Sequence, residues 1–269
     1  MYISDYELTP HKKEIYPECQ IGEQYIGECK STKQKFSILK INRFFISNSL
    51  LFLNLKVQIE LLSSCFHPNI QKYIDCHYEG VFQYIILEYE ENTFYSLFEK
   101  NDSLNRREIF GIFKQIVSAL EYLHQNNIVH LDIRPESIFL TDNNELRLGN
   151  FYNAHKIEPD ELITVPYGTL NFAAPETKTD KPYDGKAADV FACGILLLSM
   201  FIRKLAISGS TIEEIEQNFA NGQIFIPSFI NEDVRSLISS MIDFNPEKRI
   251  PIENVKLSQW YTSEISALI

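Results

Sequence analysis

Asp132 is the residue in this sequence best placed to act as a base. It lies in His130-Leu131-Asp132-Ile133-Arg134-Pro135-Glu136-Ser137-Ile138-Phe139-Leu140, a loop that follows an amphipathic segment and runs into a short apolar one. Loops held between buried elements carry most catalysis, because the scaffold fixes the carboxylate while the loop keeps it within reach of a substrate proton. A second candidate is Ile21-Gly22-Glu23-Gln24-Tyr25-Ile26-Gly27-Glu28-Cys29. Its glycines read either as turn residues of a hairpin or as a flap whose amides approach phosphate oxygens. The strand-like run Phe36-Ser37-Ile38-Leu39-Lys40-Ile41 carries one cation, which alone reads as a solvated edge residue.

Periodicity supplies the elements that must position these residues. Asn105 to Gln125 is the best-specified helix. Asn105 and Glu108 have the spacing of a capping box, and Ile109, Ile112, Phe113, Ile116, Val117, Leu120 and Leu123 keep the three-four spacing of a buried face. Alternating β-prone runs and turn residues from Ile15 to Ile41 predict a meander of three strands. Ser47 to Cys65 predicts a helix, closed by His67-Pro68-Asn69-Ile70. Strands are expected over 71–78, 81–87 and 145–148. Residues 1–14 lack periodicity and predict a mobile or loosely docked arm. The longest apolar run, Val190 to Ile202, is too short to span a bilayer and is flanked by Asp189 and Arg203. It predicts a buried core helix.

With 269 residues, 45% of them hydrophobic, the chain can build a sizeable core. Its net charge of −11 argues against a nucleic-acid or anionic-membrane surface and favours basic partners. Five cysteines form no Cys-x-x-Cys pair, which disfavours zinc and a disulfide framework and predicts a reducing, intracellular, cytoplasmic setting.

Taken in order, these stretches resemble the landmarks of the protein kinase family. His130, Asp132, Pro135 and Glu136 match the catalytic loop His-Arg-Asp-Leu-Lys-Pro-Glu-Asn, from which Leu131, Arg134 and Ser137 depart. The flap resembles Gly-x-Gly-x-x-Gly-x-Val, with Gly22 and Gly27 as the outer glycines and Gln24 in place of the middle one. The strand resembles Val-Ala-Ile-Lys, with Ile38 at the Ala and Lys40 at the phosphate-pairing Lys. Leu87 followed by Glu88-Tyr89-Glu90 resembles the gatekeeper and hinge, and Asn150-Phe151-Tyr152 the Asp-Phe-Gly motif. Gly168 to Glu176, Asp189 to Gly194 and Asp243 to Arg249 resemble the end of the activation segment and two framework motifs of the larger lobe. The resemblance covers residues 15–262. It implies an α+β, two-lobed fold, with a β-rich small lobe (15–88) carrying one helix and a mainly helical large lobe (91–262). Residues 1–14 would be an arm and 263–269 a tail. Pro135-Glu136 and Gly168-Thr169 favour the Ser/Thr branch. Ala173-Ala174-Pro175 and Ala192-Cys193-Gly194 look most like the calmodulin-dependent and AMP-activated group.

The resemblance also implies roles. Asp132 would accept the substrate proton, and Arg134 would stand beside the γ-phosphate. Gly22, Gly27, Cys29, Ile38, Lys40, Leu87, Glu88, Tyr89 and Phe139 would line the nucleotide site. Ser137 and Asn150 would take the two Mg²⁺-ligand positions, but they offer neutral oxygens where a hard dication prefers charged ones. Gln58 stands where a helix Glu would pair with Lys40. Ile38 and Phe139 exceed the usual Ala and Leu around adenine, so ATP binding stays open and Mg²⁺ binding is disfavoured. The framework residues Glu176, Asp189, Gly194 and Arg249 are all kept. A kept scaffold with a degraded metal site predicts a pseudokinase that works in signalling through protein binding or allostery. The rival is an active ATP-dependent Ser/Thr kinase with atypical metal coordination, which Lys40 and Asp132 favour. A purely structural domain would differ from the first only in failing to bind ATP. Protein partners are expected at the helix 47–65, where Leu53 and Val57 leave its core-facing stripe, unless the N-terminal arm covers that face through Ile3, Tyr6 and Leu8.

Overall fold

A computed structural model describes residues 2–10, 22–43, 59–89, 92–96, 104–141, 145–207, 217 and 224–267. Six antiparallel strands form one sheet: β1 (Tyr2–Ile3), β2 (Tyr6–Pro10), β3 (Gly22–Cys29), β4 (Lys35–Asn42), β5 (Tyr73–Glu79) and β6 (Phe82–Glu88), in the order β1-β2-β3-β4-β6-β5. The described part of the expected loose arm, 2–10, is therefore the edge of this sheet. β2 pairs with β3 from Tyr6↔Cys29 to Pro10↔Tyr25, and Ile3 and Leu8 are buried. Five residues of alternation were too few to register as a strand period. The meander expected over 15–41 is present as β3 and β4, with 15–21 outside the described residues. The helix expected over 47–65 is described for 59–64. Gln58, and the docking face expected at Leu53 and Val57, lie outside the described residues.

The central strands β4 and β6 are buried on both sides, and cross-strand partners share a side. Phe36, Ile38 and Lys40 of β4 oppose Gly27, Tyr25 and Glu23 of β3, and Ile38 and Lys40 oppose Ile86 and Tyr84 of β6. On this outer face Phe36, Ile38, Tyr84 and Ile86 form a small core with Ile3 and Leu8. Ser37, Leu39 and Ile41 occupy the inner face with Leu87, Ile85 and Gln83. Leu39, Ile41, Ile85 and Leu87 join the main core, which continues into the helical lobe.

That lobe is built around two helices. α1 (Arg106–Gln125) begins with the expected capping box: the Asn105 side chain accepts from the amides of Arg107 and Glu108, and the Glu108 carboxylate accepts from the Asn105 amide at 2.7 Å. All seven residues of its expected stripe are buried. α2 (Gly185–Ile202) starts five residues before the apolar run. Its 18 residues are long and apolar enough to cross a membrane, but 78% of that span is buried within the protein, as befits a core helix. At Gly194 it meets the end of α3 (Glu232–Met241), where a Cβ would stand 2.8 Å from that of Met241. Two short helices, α4 (Ile252–Val255) and α5 (Gln259–Ser266), close the lobe, with Trp260 fully buried against Phe110, Phe113 and Phe201. Between the layers, β7 (Asn92–Thr93), β9 (Ile138–Leu140) and β10 (Leu146–Leu148) form a three-stranded sheet, and β8 (Ile128–Val129) pairs with β11 (His155–Lys156).

Arg249 anchors the large lobe. Its guanidinium grips both oxygens of Glu176 (2.5 and 3.1 Å) and donates to the carbonyls of Ala187 and Asp243, with its own side chain fully buried. Removing one member of a buried pair leaves the other charge uncompensated and costs about 3–5 kcal/mol. Arg249→Ala should therefore lower the melting temperature by roughly 10 °C. A shift near zero in a thermal melt would mean that the pair is solvated.

Candidate functional site

The loop that carries Asp132 is held from below by Asp189, near the start of α2. The buried Asp189 carboxylate accepts from the amides of His130 (2.8 Å) and Leu131 (2.7 Å) and meets His124 Nε2 at 3.0 Å. Leu131 takes a left-handed conformation (φ 62°), and the two amide bonds hold it there. His130 is fully buried. Its Nε2 donates to the Gly149 carbonyl (2.9 Å) and its Nδ1 accepts from the Asp132 amide (3.2 Å). A ring that donates through one nitrogen and accepts through the other is neutral. Consistently, burial holds its pKa below the ordinary histidine value, against the opposing pull of Asp189, Gly149 and Asp132.

Asp132 itself is 4% exposed, and both of its oxygens are engaged. Thr169 donates to Oδ1 at 2.7 Å, while Oδ2 receives Asn150 Nδ2 at 3.2 Å and pairs with Arg134 Nε at 3.2 Å. Arg134 thus stands beside the base, both side chains almost fully buried. Ser137 is turned into the loop. Its hydroxyl shares the carbonyls of Asp132 (2.9 Å) and Arg134 (2.8 Å) and accepts the Arg134 amide (3.0 Å), with no exposed surface. Asn150 adopts a left-handed conformation, which Asn tolerates, and its buried Oδ1 has no partner. This donor set does not fit a magnesium ion: one oxygen is spent inside the loop and the other is a single neutral amide. Among the described residues no cluster of three or more His, Cys, Asp or Glu could hold a metal.

The sheet corrects the flap and strand assignments. Lys40, expected to pair with phosphate, lies on the outer face. Its ammonium bonds Glu23 Oε2 at 2.9 Å and stands 4.4 Å from the centre of the Phe82 ring. The Glu23 hydrogen bond raises the Lys40 pKa, and the bonds from Tyr25 and Lys40 lower that of Glu23. Ile38, expected over adenine, also faces outward and fills the space left by Gly27, where a Cβ would stand 2.2 Å from Ile38 Cδ1. Gly27 is therefore a packing glycine inside β3. Gly22 opens the same strand opposite Ile41, and Cys29 ends it opposite Tyr6. The physical reason is the strand period of two, in which a shift of one residue exchanges the faces. Read one residue earlier, Phe36-Ser37-Ile38-Leu39 takes the Val-Ala-Ile-Lys pattern and puts Ser37 and Leu39 on the inner face. Gln24 lies beside them, 3.4 Å from the Ser37 hydroxyl.

The remaining nucleotide-site residues meet at the lobe junction. Leu87 is buried on the inner face, Tyr89 is half-buried at the end of β6, and Phe139 of β9 is 2% exposed. Glu88 is held by Arg147 at 3.3 Å and by the Lys72 amide at 3.3 Å. Sequence reasoning missed three participants: Glu23, Thr169 as a ligand of Asp132, and Gln71, whose amide reaches the Glu88 carbonyl. Only the facing of Glu23 and Lys40 on adjacent strands could have signalled the first.

A β-rich lobe over a helical one, with a buried histidine-aspartate loop between them, defines a two-lobed kinase-like domain. The chain matches the protein kinase domain model over residues 19–261 and belongs to that family. It is similar to a probable serine/threonine-protein kinase of Dictyostelium discoideum, 30% identical over 91% of this chain and 30% of the relative. The carbon catabolite-derepressing protein kinase of Saccharomyces cerevisiae is 28% identical over 91% of this chain and 40% of its own length. A serine/threonine protein kinase of Oryza sativa is 29% identical over 89% and 47% respectively. The chain thus spans less than half the length of these relatives.

The neutral His130 has a consequence for acid stability. Above pH 6.5 the ring is neutral in the folded and unfolded chains alike and contributes nothing. As pH falls through the unfolded value of 6.5, the unfolded ring gains a proton that the folded one refuses, so stability drops by up to about 1.4 kcal/mol per pH unit. Denaturant melts at pH 7.5, 6.5 and 5.5 should therefore show a steeper loss for the native chain than for His130→Gln. Equal slopes would mean that the folded ring protonates freely.

Proposed function

We propose that this domain is a pseudokinase, a member of the protein kinase family that transfers no phosphate at a kinase rate and acts by protein binding or allosteric regulation in signalling. The observation that carries this reading is the register of β4, with Leu39 on the inner face, where the motif lysine would stand, and Lys40 on the outer one. Phosphoryl transfer depends on charge set against the triphosphate, and the two metal-ligand positions of the family motif hold Ser137 and Asn150, the second in place of a charged Asp. Losing one preorganised charge of this kind costs roughly 3–4 kcal/mol, or two to three orders of magnitude in rate. The relatives named as serine/threonine kinases support a Ser/Thr lineage. The free thiols of Cys29, Cys65, Cys76 and Cys193 suit the reducing, intracellular setting proposed from composition. A partner surface on residues 47–65 remains part of this proposal, with the acidic chain favouring a basic partner.

The alternative, an active kinase with atypical metal use, draws on the Asp132–Arg134–Thr169 arrangement, which keeps a carboxylate beside a cation. One assay separates the two. With γ-labelled ATP, a general protein substrate and either Mg²⁺ or Mn²⁺, the chain should incorporate no more label than its Asp132→Asn variant. Incorporation at an ordinary kinase rate that Asp132→Asn abolishes would overturn the pseudokinase reading.

A further inference from the structure

Gln71 sits where the sheet meets the large lobe, 2% exposed, with its amide N–H donating to the Leu148 carbonyl of β10 at 2.9 Å. Its side-chain Nε2 donates to the Glu88 carbonyl at 2.9 Å. The rest of Glu88 is engaged as well: its N–H donates to the Lys72 carbonyl at 2.9 Å, and its carboxylate meets the Lys72 amide and Arg147. Gln71 Oε1 is buried without a partner and lies 2.6 Å from where a Cβ on Gly149 would stand. Phe139 Cε2 lies 2.5 Å from the same point. The space that a side chain at position 149 would occupy is thus filled by the Gln71 amide and the Phe139 ring. The amide cannot be reversed, because its oxygen would then face the Glu88 carbonyl oxygen, acceptor against acceptor. A buried acceptor left unpaired is costly, and an apolar residue at 71 would avoid that cost.

We propose that Gln71 closes this junction to adenine by bonding the Glu88 carbonyl with its own amide, in the place that adenine's exocyclic amino group would take. The proposal deepens the pseudokinase reading at the same cleft and rests on it for the meaning of the closure. The hydrogen bond is chemically the one an adenine would form: an sp² nitrogen carrying two hydrogens that donates to a backbone carbonyl. While Gln71 holds that carbonyl and Phe139 holds the floor beside Gly149, an adenine must displace both. Truncating Gln71 frees the acceptor and leaves a cavity beside it. A base that offers an amino group there can then pair, whereas a 6-oxo purine offers a second acceptor and cannot.

The test uses the full chain and titrates ADP and inosine diphosphate without metal, followed by melting temperature and calorimetry. The native chain should bind neither nucleotide appreciably at millimolar concentration. Gln71→Ala and Gln71→Val should bind ADP at least tenfold more tightly than the native chain and more tightly than inosine diphosphate. Equal ADP binding by native and variant chains, or equal binding of the two nucleotides by the variants, would overturn the proposal. A measurement on the native chain keeps it testable should both variants fail to fold. The side-chain amide protons of Gln71 should exchange slowly with solvent and stay unchanged in millimolar ADP by nitrogen-edited NMR, and fast exchange would overturn the proposal too. Phosphotransfer by the native chain would refute the pseudokinase reading separately. ADP capture by Gln71→Ala without any gain in phosphotransfer supports both.

Discussion

A β-strand presents alternate residues to opposite faces, and in this domain that alternation decides which side chains reach the cleft. β4 is locked by more than its ladder bonds. Ile38 occupies the space Gly27 leaves vacant, and Phe36 and Ile38 pack with Ile3 and Leu8 from the N-terminal strands. On the opposite side Leu39 and Ile41 are committed to the main core. Sliding the strand by one residue would drive Lys40 into that core and expel Leu39, so the register is over-determined. The Lys40–Glu23 pair is a consequence of the register and not its cause. Glu23 is 64% exposed, and a pair of that kind contributes on the order of 0–1 kcal/mol.

The large lobe shows the opposite pattern, with the framework beneath the site intact. Asp189 binds two consecutive amides of the loop, His130 bonds Gly149 across to the following strand, and Arg249 clamps Glu176. These contacts place Asp132, and both of its oxygens are engaged within the protein, while Asn150 Oδ1 beside it is left buried without a partner. Thr169 and Asn150 bond its oxygens, and the Ser137 hydroxyl closes the loop on itself. A loop so arranged is rigid without needing a ligand to complete it, which suits a domain whose surface does the work.

Much of this was legible in the sequence, for identifiable reasons. The capping box of α1 and its buried stripe follow from side-chain spacing on one continuous helix, and the structure repeats them residue for residue. Glu176 and Arg249 were also readable, as residues of short ungapped motifs. The failed assignments on β3 and β4 share one cause. Matching Lys40 to the motif lysine sets the strand one residue out, and a strand converts an error of one residue into the wrong face. Gly27, read as a flap glycine, serves Ile38. Gln71 left no local signal, because its role depends on Glu88, Gly149 and Phe139, which are far apart in the chain and meet only in the fold.

The side of the sheet on which Lys40 lies is measured most directly by proton NMR contacts from its side chain. With the ammonium 4.4 Å from the Phe82 ring centre and 5.9 Å from that of Tyr25, the terminal methylene protons should show nuclear Overhauser contacts to both rings and none to the Leu87 methyl groups. Contacts to Leu87, with none to Phe82 or Tyr25, would put the cation in the cleft and contradict the account.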